Sequence, residues 1–332
     1  MKLGTIDLCC GMGGLSFAAQ EIGMAVSAGV DCDRDCLTSY QTNFPEALSI
    51  QGNVSEAETI KKCAALVRKH SQKTTRYILV SGPPCQGFSD AGPRQIADPR
   101  NEIMISVAKA IVCLRPKAAL VENVSALRKE RNLQLLNRFR SVLNRAGYHV
   151  YRYELNALDF GLAQNRRRMI FFVLPFPVSR VTIPQALMVF HQEPRTVSAV
   201  IGDLPAPPVR PKDHQEIENN GTLANHYAMR HSDRVRKKIA GIEQGKGPLS
   251  YRKLTPDSHA PTLLSGHRAA PVHYEQARSI TAREALRLQG FPDHFRVMGP
   301  FANQMTQVTN AVPAPLGIAA LKVLLHLLGE TQ

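Results

Sequence analysis

Cys85 stands in a segment that presents a side chain on a rigid turn. Residues 81–89 read Ser-Gly-Pro-Pro-Cys-Gln-Gly-Phe-Ser. Two prolines fix the backbone immediately before the cysteine, and glycines stand on both sides of it. Because a cysteine that only fills a core rarely needs such a turn, this context favours a reactive thiol at Cys85 over a structural one.

Two further segments carry charged groups that could act together with a thiol. Glu122 follows an apolar run, and residues 164–168 read Gln-Asn-Arg-Arg-Arg before another apolar run. Strand alternation places Arg166 and Arg168 on one face and Arg167 on the other. A carboxylate and arginines beside a thiol suggest an anionic or carbonyl-bearing ligand. Taken alone, Glu122 also fits a helix-capping acid, and the arginine run also fits a solvated charge cluster.

A glycine-rich loop follows the first predicted strand. Residues 7–15 read Asp-Leu-Cys-Cys-Gly-Met-Gly-Gly-Leu, and Asp31 ends the second predicted strand. Glycines allow a ligand to approach the backbone, and an acid after the second strand can bind ribose hydroxyls. The loop lacks the Gly-x-Gly-x-x-Gly pyrophosphate cradle, so a nucleoside cofactor without phosphates, such as S-adenosylmethionine, fits better. The loop alone leaves phosphate binding and an ordinary turn open.

The elements that must position these residues alternate between short apolar runs and helix-like stretches. Strands are predicted at 4–9, 25–30, 77–81 and 118–121, with further candidates at 148–155 and 169–174. Helices are predicted at 15–22, 34–43, 56–70, 102–114 and 133–145. This alternation predicts a parallel sheet covered on both faces. The pattern breaks at Pro175 and gives way to a proline-rich, charged region, and helices return at 279–290 and 314–328, the last predicted to pack back on the sheet.

Composition limits the partners and the compartment. The formal net charge of +14 favours an acidic polymer such as nucleic acid. The basic cluster at 234–238 fits either a phosphate contact or a solvated helix face. Seven cysteines without a Cys-x-x-Cys pair predict reduced thiols and no metal site. Because no membrane-length apolar run or signal peptide is evident, we expect a cytoplasmic protein without membrane contact.

Together these segments resemble the DNA cytosine-5 methyltransferase family, in particular the bacterial restriction-modification enzymes. Residues 278–284 (Arg-Ser-Ile-Thr-Ala-Arg-Glu), 287–293 (Arg-Leu-Gln-Gly-Phe-Pro-Asp) and 310–313 (Asn-Ala-Val-Pro) continue the family's order. The match covers residues 5 to about 173 and 261 to the end. It implies an α/β, Rossmann-like class I S-adenosylmethionine-dependent methyltransferase fold with a small inserted target-recognition domain. Residues 1–175 would form the catalytic domain, 176–278 the target-recognition domain, and 279–332 the return to the catalytic domain.

The resemblance also implies a role for each matched residue. Cys85 would add to ring carbon 6 of a flipped cytosine, Glu122 would act at ring nitrogen 3, Arg168 at the carbonyl oxygen, and Arg166 would support the thiolate. The expected cofactor residues are Asp7, Cys9, Gly11, Met12, Gly13, Gly14, Asp31, Cys32, Asn53, Val54, Pro84, Asn310 and Ala311. The expected DNA contacts are Gln86, Ser89, Arg94, Arg100 and Gln164.

Four departures from the family pattern concern the cofactor pocket rather than the chemistry. Cys9 replaces a phenylalanine that stacks on adenine, Asp31 replaces glutamate, Asn53 replaces aspartate, and Thr309 replaces glycine.

Double-stranded DNA is the expected partner of a monomeric chain, with a cognate restriction endonuclease encoded separately. The alternative is a tRNA cytosine-5 methyltransferase of the same fold. A non-enzymatic DNA-binding relative would be expected to lose the cysteine, the acid or the arginines, and a nicotinamide oxidoreductase would be expected to keep a pyrophosphate loop.

Overall fold

A single mixed sheet organises the structure, a computed structural model that describes residues 3–70, 76–84, 102–209, 223–248, 251–264 and 270–330. Its strands are β1 Gly4–Leu8, β2 Ala25–Asp31, β3 Leu48–Gln51, β4 Tyr77–Ser81, β5 Ala119–Val124, β6 His149–Asn156 and β7 Arg167–Leu174. They are ordered β3-β2-β1-β4-β5-β7-β6. Neighbours among β1–β5 are parallel, whereas β7 is antiparallel to both β5 and β6.

Helices connect the strands and continue beyond them. In the described residues they are α1 Gly14–Glu21, α2 Arg34–Asn43, α3 Ala57–His70, α4 Glu102–Leu114, α5 Leu133–Arg145, α6 Thr182–Met188, α7 Val197–Ile201, α8 Asp233–Ala240, α9 Ala282–Leu288, α10 Phe301–Asn310 and α11 Ala314–Leu327. Short 3-10 turns follow β5 and β6. This connectivity makes the parallel part of the sheet a doubly wound α/β structure.

The chain divides into two compact units. The sheet unit comprises Met1–Asn156, Arg167–His191 and Ala314–Gln332, and the second unit comprises Ala157–Arg166 and Gln192–Pro313. The sheet unit contains every strand of the sheet, and the second unit contains α7 to α10. The predicted C-terminal return, residues 279–332, is divided between the two units at residue 313. The functional domain assignment therefore stays a prediction.

The core of the sheet unit forms because apolar residues alternate along the strands. Ile6 and Leu8 of β1 lie in a buried cluster with side chains of α3, α4 and α5, such as Ile111 and Phe139. Burying such side chains contributes roughly 1.5–3 kcal/mol each. On α11, Gly317 allows close approach to α1, and α11 also contacts β5, as expected from the prediction that the last helix packs back on the sheet.

Most elements predicted from the sequence are confirmed, and the structure differs from the prediction in three respects. The strands at 149–156 and 167–174 run antiparallel, which periodicity cannot indicate. β3 was not predicted, because a four-residue strand in which only Ile50 is buried gives a weak pattern. The predicted helix at 279–290 is shorter: Thr281 caps α9 in a capping box with Glu284, and Gly290 adopts a positive φ of 81°.

One apolar stretch in the described part of the chain, Phe301–Leu327, has the length of a membrane span. Of its apolar window, 67% is buried inside the protein. Buried core helices pass the same length and composition test as membrane spans. This stretch is therefore weak evidence for a membrane segment.

Candidate active site

The glycine loop lies at the carboxyl end of β1 and is held by a carboxylate from β2. The Gly11 N–H donates to Asp31 Oδ2 (2.8 Å), and the Asp33 N–H donates to Asp31 Oδ1 (2.9 Å). The backbone turns sharply here, since Cys9, Gly11 and Gly13 have φ angles of 56°, 54° and 96°. A Cβ atom at Gly11 would meet no atom of the described residues within 4 Å, so these residues leave space beside the loop. The loop can therefore accept a ligand close to its backbone.

The end of β3 lies beside the same carboxylate residue. The Gly52 N–H donates to the Asp31 carbonyl oxygen (2.9 Å). Asn53 Oδ1 accepts hydrogen bonds from the backbone N–H and the hydroxyl of Ser55 (3.0 and 2.8 Å). A cofactor contact through this oxygen of Asn53, one of the expected cofactor residues, would have to share it with Ser55. Val54 is buried in the core next to it.

Two acidic side chains flank the glycine loop, which bears on the chemistry of its ligand. Burial raises the pKa of Asp7 to about 7, the Ser16 hydrogen bond opposes that shift, and the Asp31 carboxylate adds to it. Burial also raises the pKa of Asp31. Carboxylates at this position repel a pyrophosphate and attract a cation, while they can accept hydrogen bonds from ribose hydroxyls. The residues present therefore fit a cationic nucleoside such as S-adenosylmethionine.

The cysteines of the loop are unsuited to nucleophilic attack. Burial raises the pKa of the Cys9 and Cys10 thiols well above the usual range, and nearby carboxylates add to the effect. Burial likewise raises the pKa of Cys32, which is more exposed. Because the thiolate is the reactive form, the raised pKa values disfavour nucleophilic attack by these three thiols.

Glu122 and Arg168 form a buried ion pair across β5 and β7. Arg168 Nε lies 2.8 Å from Glu122 Oε1, and the two side chains are 12% and 8% exposed. The pair forms because Val124 is opposite Arg168 in the antiparallel register, which places Glu122 two residues away on the same face. Arg168 Nη1 also donates to the Arg167 carbonyl oxygen (2.7 Å), so the guanidinium plane is fixed. The structure thus brings two of the predicted catalytic residues together.

The backbone that leads into Cys85 is fixed beside this pair. Asn123 Nδ2 donates to the Pro83 carbonyl oxygen (3.3 Å), and Ser81 Oγ donates to the Leu8 carbonyl oxygen (2.7 Å). The turn before Cys85 is therefore attached to both β5 and β1. Pro84 is half-buried. Cys85 lies outside the described residues, as do Gln86, Ser89, Arg94 and Arg100.

Arg166 and Gln164 occupy buried positions in the second unit. Arg166 is 1% exposed and donates to the carbonyl oxygens of Thr309 (2.8 Å), Ala311 (3.0 Å) and Leu263 (3.4 Å). Gln164 is fully buried; its amide donates to Leu288 and accepts from the Leu263 N–H. The predicted DNA contact of Gln164 would require it to leave these bonds. The predicted thiolate contact of Arg166 stays a prediction.

The remaining predicted cofactor residues divide between the two units. In the sheet unit Met12 and Gly14 are buried at the start of α1, and in the second unit Asn310 is exposed at the end of α10 while Ala311 is half-buried. Within the described ranges, no group of three or more His, Cys, Asp or Glu side chains could hold a metal ion.

Sequence reasoning missed Ser16 and Tyr40, which lie beneath the glycine loop. Ser16 Oγ donates to Asp7 Oδ2 (2.8 Å) and lies 3.0 Å from the Tyr40 hydroxyl. Both side chains are fully buried. A serine among the apolar residues of α1 was the available signal, since a buried hydroxyl needs a partner.

Comparisons with known proteins agree with this geometry. The family model for C-5 cytosine-specific DNA methylases matches residues 3–326. The Type II methyltransferase M1.HphI of Haemophilus parahaemolyticus is 31% identical, covering 98% of this chain and 88% of that protein. The Type II methyltransferase M.XorII of Xanthomonas oryzae pv. oryzae is 28% identical, covering 95% and 82%.

Solved structures show the same fold. A prophage-encoded E. coli protein described as a DNA modification methyltransferase has a TM-score of 0.79 and 27% identity, covering 99% of this chain and 100% of that one. The S. pombe Dnmt2 methyltransferase has a TM-score of 0.67 over 98% and 99%, and at 17% identity this shows the fold alone. With the family model matched along nearly the whole chain, this protein belongs to the C-5 cytosine-specific DNA methylase family and is a DNA cytosine-5 methyltransferase.

Proposed function

We propose that this enzyme transfers the methyl group of S-adenosyl-L-methionine to a cytosine within a specific sequence of double-stranded DNA, with Cys85 as the nucleophile. The observation that carries the proposal is the buried Glu122–Arg168 pair beside the Pro83 backbone. A carboxyl group and a guanidinium held at that position match the ring nitrogen 3 and carbonyl oxygen of a flipped cytosine. The thiol of Cys85 follows Pro83 by two residues.

The chemistry needs a nucleophile because ring carbon 5 of cytosine is itself too poor an attacking atom. When Cys85 Sγ bonds to ring carbon 6, electron density moves to carbon 5, provided that nitrogen 3 is protonated or hydrogen-bonded by Glu122. The bound donor would supply its methyl group to carbon 5 and, with its sulfur–methyl bond broken, would leave as S-adenosyl-L-homocysteine. Solvent would then accept the carbon 5 proton while the bond from carbon 6 to Cys85 Sγ breaks, which releases the thiolate and restores the aromatic ring. Arg168 would hold the carbonyl oxygen through its planar fork.

Arg166 supports the reaction from a different position. Its bonds to the carbonyl oxygens of Thr309 and Ala311 enclose Asn310, one of the predicted cofactor residues. We infer that Arg166 shapes this segment, in addition to the thiolate support implied by the family resemblance. A guanidinium suits this task because its donors lie in one rigid plane.

The donor would bind between the glycine loop and the carboxyl ends of β2 and β3. Asp31 would accept hydrogen bonds from the ribose, and the acidic surroundings of Asp7 and Asp31 would favour the positive charge of the donor. Cys9 and Cys32 offer smaller surfaces than aromatic rings for contact with adenine. We therefore expect weaker stacking on adenine than in relatives that have phenylalanine at the position of Cys9.

The second unit offers a basic surface for DNA. Helix α8 is capped by Ser232, whose side chain accepts from the Val235 N–H, and it presents four exposed cations. These are Arg234, Arg236, Lys237 and Lys238. Lys238 also lies over the Tyr251 ring, 5.3 Å from its centroid. We propose that this surface contacts phosphates, while residues 176–278 read base edges in the major groove. The cytosine must leave the duplex before Cys85 can reach it.

The relatives support a proposal about the biological setting. The curated relatives named above are Type II methyltransferases of bacteria. We propose that this chain is the modification enzyme of a restriction-modification system, with a separately encoded cognate endonuclease, and that it acts in the cytoplasm as a monomer.

Replacement of the nucleophile tests the proposal. Cys85→Ala should abolish methyl transfer from S-adenosyl-L-methionine to duplex DNA and keep specific DNA binding. A duplex in which the target cytosine carries fluorine at carbon 5 should trap the wild-type enzyme covalently and leave Cys85→Ala untrapped. Methyl transfer by Cys85→Ala at the wild-type rate would overturn the mechanism. Transfer to tRNA and not to DNA would overturn the substrate assignment.

A further inference from the structure

A chain of buried hydroxyl groups extends from the glycine loop into α2. Asp7, Ser16 and Tyr40 are 1%, 0% and 0% exposed. Ser16 Oγ donates to Asp7 Oδ2 (2.8 Å) and lies 3.0 Å from the Tyr40 hydroxyl. Because a serine hydroxyl has one proton, and Ser16 gives it to the carboxylate, the Tyr40 hydroxyl is the donor to Ser16. Tyr40 therefore stabilises the ionised form of Asp7 through Ser16.

The ring of Tyr40 also supports the backbone on both sides of this chain. A Cβ atom at Gly29 of β2 would lie 2.4 Å from the Tyr40 ring, and one at Gly13 would lie 3.1 Å from it. At Gly13 the same atom would lie 2.3 Å from Phe44, whose ring centroid is 4.8 Å from that of Tyr40. The glycine loop and β2 thus rest directly on an aromatic pair from α2. The position of the glycine loop therefore depends on Tyr40 in two ways, through packing of the ring and through the hydrogen bond to Ser16.

We propose that Tyr40 is a positioning residue for the methyl donor, which holds the Asp7 carboxylate and the glycine loop in the binding form through Ser16. This inference rests on the proposed function, because it takes the glycine loop to be the donor site. Tyr40 does not touch the donor in this assignment. It acts on the Asp7 carboxylate and the glycine loop, which form the proposed donor site.

The electrostatics of the loop give this role a measurable consequence. The sulfonium group of the donor is positively charged, so it binds better when the carboxylates beside it are ionised. Among the residues that the structure describes, the titratable and hydroxyl-bearing side chains that face Asp7 are Cys9 and Cys10 in the loop, Ser16 on α1, Asp31 on β2 and Tyr40 on α2. Since burial raises the pKa of Asp7 to about 7, donor affinity should increase with pH through neutrality. Loss of the Tyr40 hydroxyl should move this increase to higher pH.

Tyr40→Phe tests the role because it removes the hydroxyl and keeps the ring. The dissociation constant of S-adenosyl-L-methionine would be measured by calorimetry on the full chain from about pH 6 to about pH 9, across the ionisation range of Asp7. We expect roughly fivefold weaker binding near neutral pH, the effect of one lost hydrogen bond, and a smaller difference at the alkaline end. In steady-state assays KM for the donor should rise by a similar factor while kcat is unchanged.

Two further variants separate positioning from general stability. Tyr148→Phe is the matched control, because its hydroxyl is also buried and donates to the Pro116 carbonyl oxygen (2.7 Å) away from the loop. It should lower the melting temperature and leave donor affinity as in the wild type at every pH. Ser16→Ala should reproduce the effect of Tyr40→Phe, and the double variant should bind no more weakly than either single variant.

These measurements test the positioning role of Tyr40 and the proposed function separately. If the wild type binds the donor and Tyr40→Phe binds it equally well at every pH, the positioning role is wrong and the proposed function stands. If Tyr40→Phe and Tyr148→Phe weaken binding alike, the effect is one of stability, and the positioning role is again wrong. If the wild type does not bind S-adenosyl-L-methionine at all, the proposed function fails and the inference fails with it.

Discussion

Replacement of Glu122 by glutamine separates the acid's chemical role from its structural one. The side chain keeps its shape and can still accept a hydrogen bond from Arg168 Nε, which lies 2.8 Å from Glu122 Oε1 in the wild type. It loses both the negative charge and the ability to pass a proton to ring nitrogen 3. Because proton transfer by a positioned group contributes roughly 10²–10⁴ in rate, methyl transfer should slow by about that factor.

The cost in stability can be worked from the same pair. Both side chains are nearly buried, at 8% and 12% exposed, so solvent screens their interaction little. A hydrogen bond between charged groups contributes about 1.5–3 kcal/mol, and a neutral one about 0.5–1.5 kcal/mol. The difference predicts that Glu122→Gln lowers the free energy of unfolding by roughly 1–2 kcal/mol. Such a loss leaves most domains folded.

The assays are single-turnover methyl transfer and the rate of covalent trapping on a duplex with 5-fluorocytosine. Addition of the thiol already depends on the interaction of Glu122 with nitrogen 3, and glutamine cannot transfer a proton to that atom, so both rates should fall together in Glu122→Gln. The matched control is Glu154→Gln, because Glu154 on β6 pairs with Arg128 at 3.5 Å, where Arg128 is 64% exposed. Exposed pairs contribute about 0–1 kcal/mol, so this variant should resemble the wild type in rate and stability. Trapping by Glu122→Gln at the wild-type rate would refute the assignment of Glu122 to nitrogen 3.

Three further predictions concern charge. Asp7→Asn should stabilise the fold above neutral pH. The pKa of Asp7 is raised from its ordinary value of 3.8 to about 7 in the folded protein, so the free energy of unfolding decreases as pH rises between those two values, and asparagine avoids this loss. Urea titration at alkaline pH checks the stability, and the variant should also bind the donor more weakly. His273→Asn should reduce the loss of stability as pH falls from 6.5 to about 4. Burial lowers the pKa of His273 to about 4 in the folded protein, so over this range the unfolded chain takes up a proton that the folded protein does not. Acid melting curves identical to those of the wild type would contradict this prediction. Replacing the α8 cations Arg234, Lys237 and Lys238 by glutamine should make the affinity for DNA less dependent on salt concentration. The slope of log affinity against log salt concentration should decrease by an amount equal to up to about three phosphate contacts, and kcat should stay the same. The control for this triple variant replaces three exposed lysines of α3, Lys61, Lys62 and Lys69, by glutamine.

Much of the fold was predictable because periodicity reports on local elements. The helices of the first 145 residues match α1 to α5 closely. The direction of β7 was not predictable, since strand alternation is the same in parallel and antiparallel pairs. That direction decides the site: it sets Val124 opposite Arg168 and brings the guanidinium to Glu122.

Part of the candidate site was likewise predictable from the local sequence, and part depends on contacts between residues that are far apart in the chain. Asp31 beside the glycine loop was expected, because the ends of adjacent parallel strands meet at one edge. The burial of Arg166 and Gln164 was not, since their partners lie about a hundred residues or more further along the chain, at Leu263 and Thr309. A charged or amide side chain is usually assigned to the surface, and only tertiary structure shows that backbone carbonyls satisfy it here.

The order of the strands is compatible with one site for the three proposed chemical tasks, namely donor binding, nucleophilic attack and cytosine binding. In the sheet, β4 lies between β1 and β5. β1 carries the glycine loop and Asp7, and β5 carries Glu122. The segment that leads into Cys85 follows β4 and is bonded to both neighbours, through Ser81 to Leu8 and through Asn123 to Pro83. In the proposed mechanism the nucleophile follows a segment that is bonded both to the strand with the proposed donor loop and to the strand with the proposed cytosine-binding acid, an order that suits transfer from sulfur to carbon.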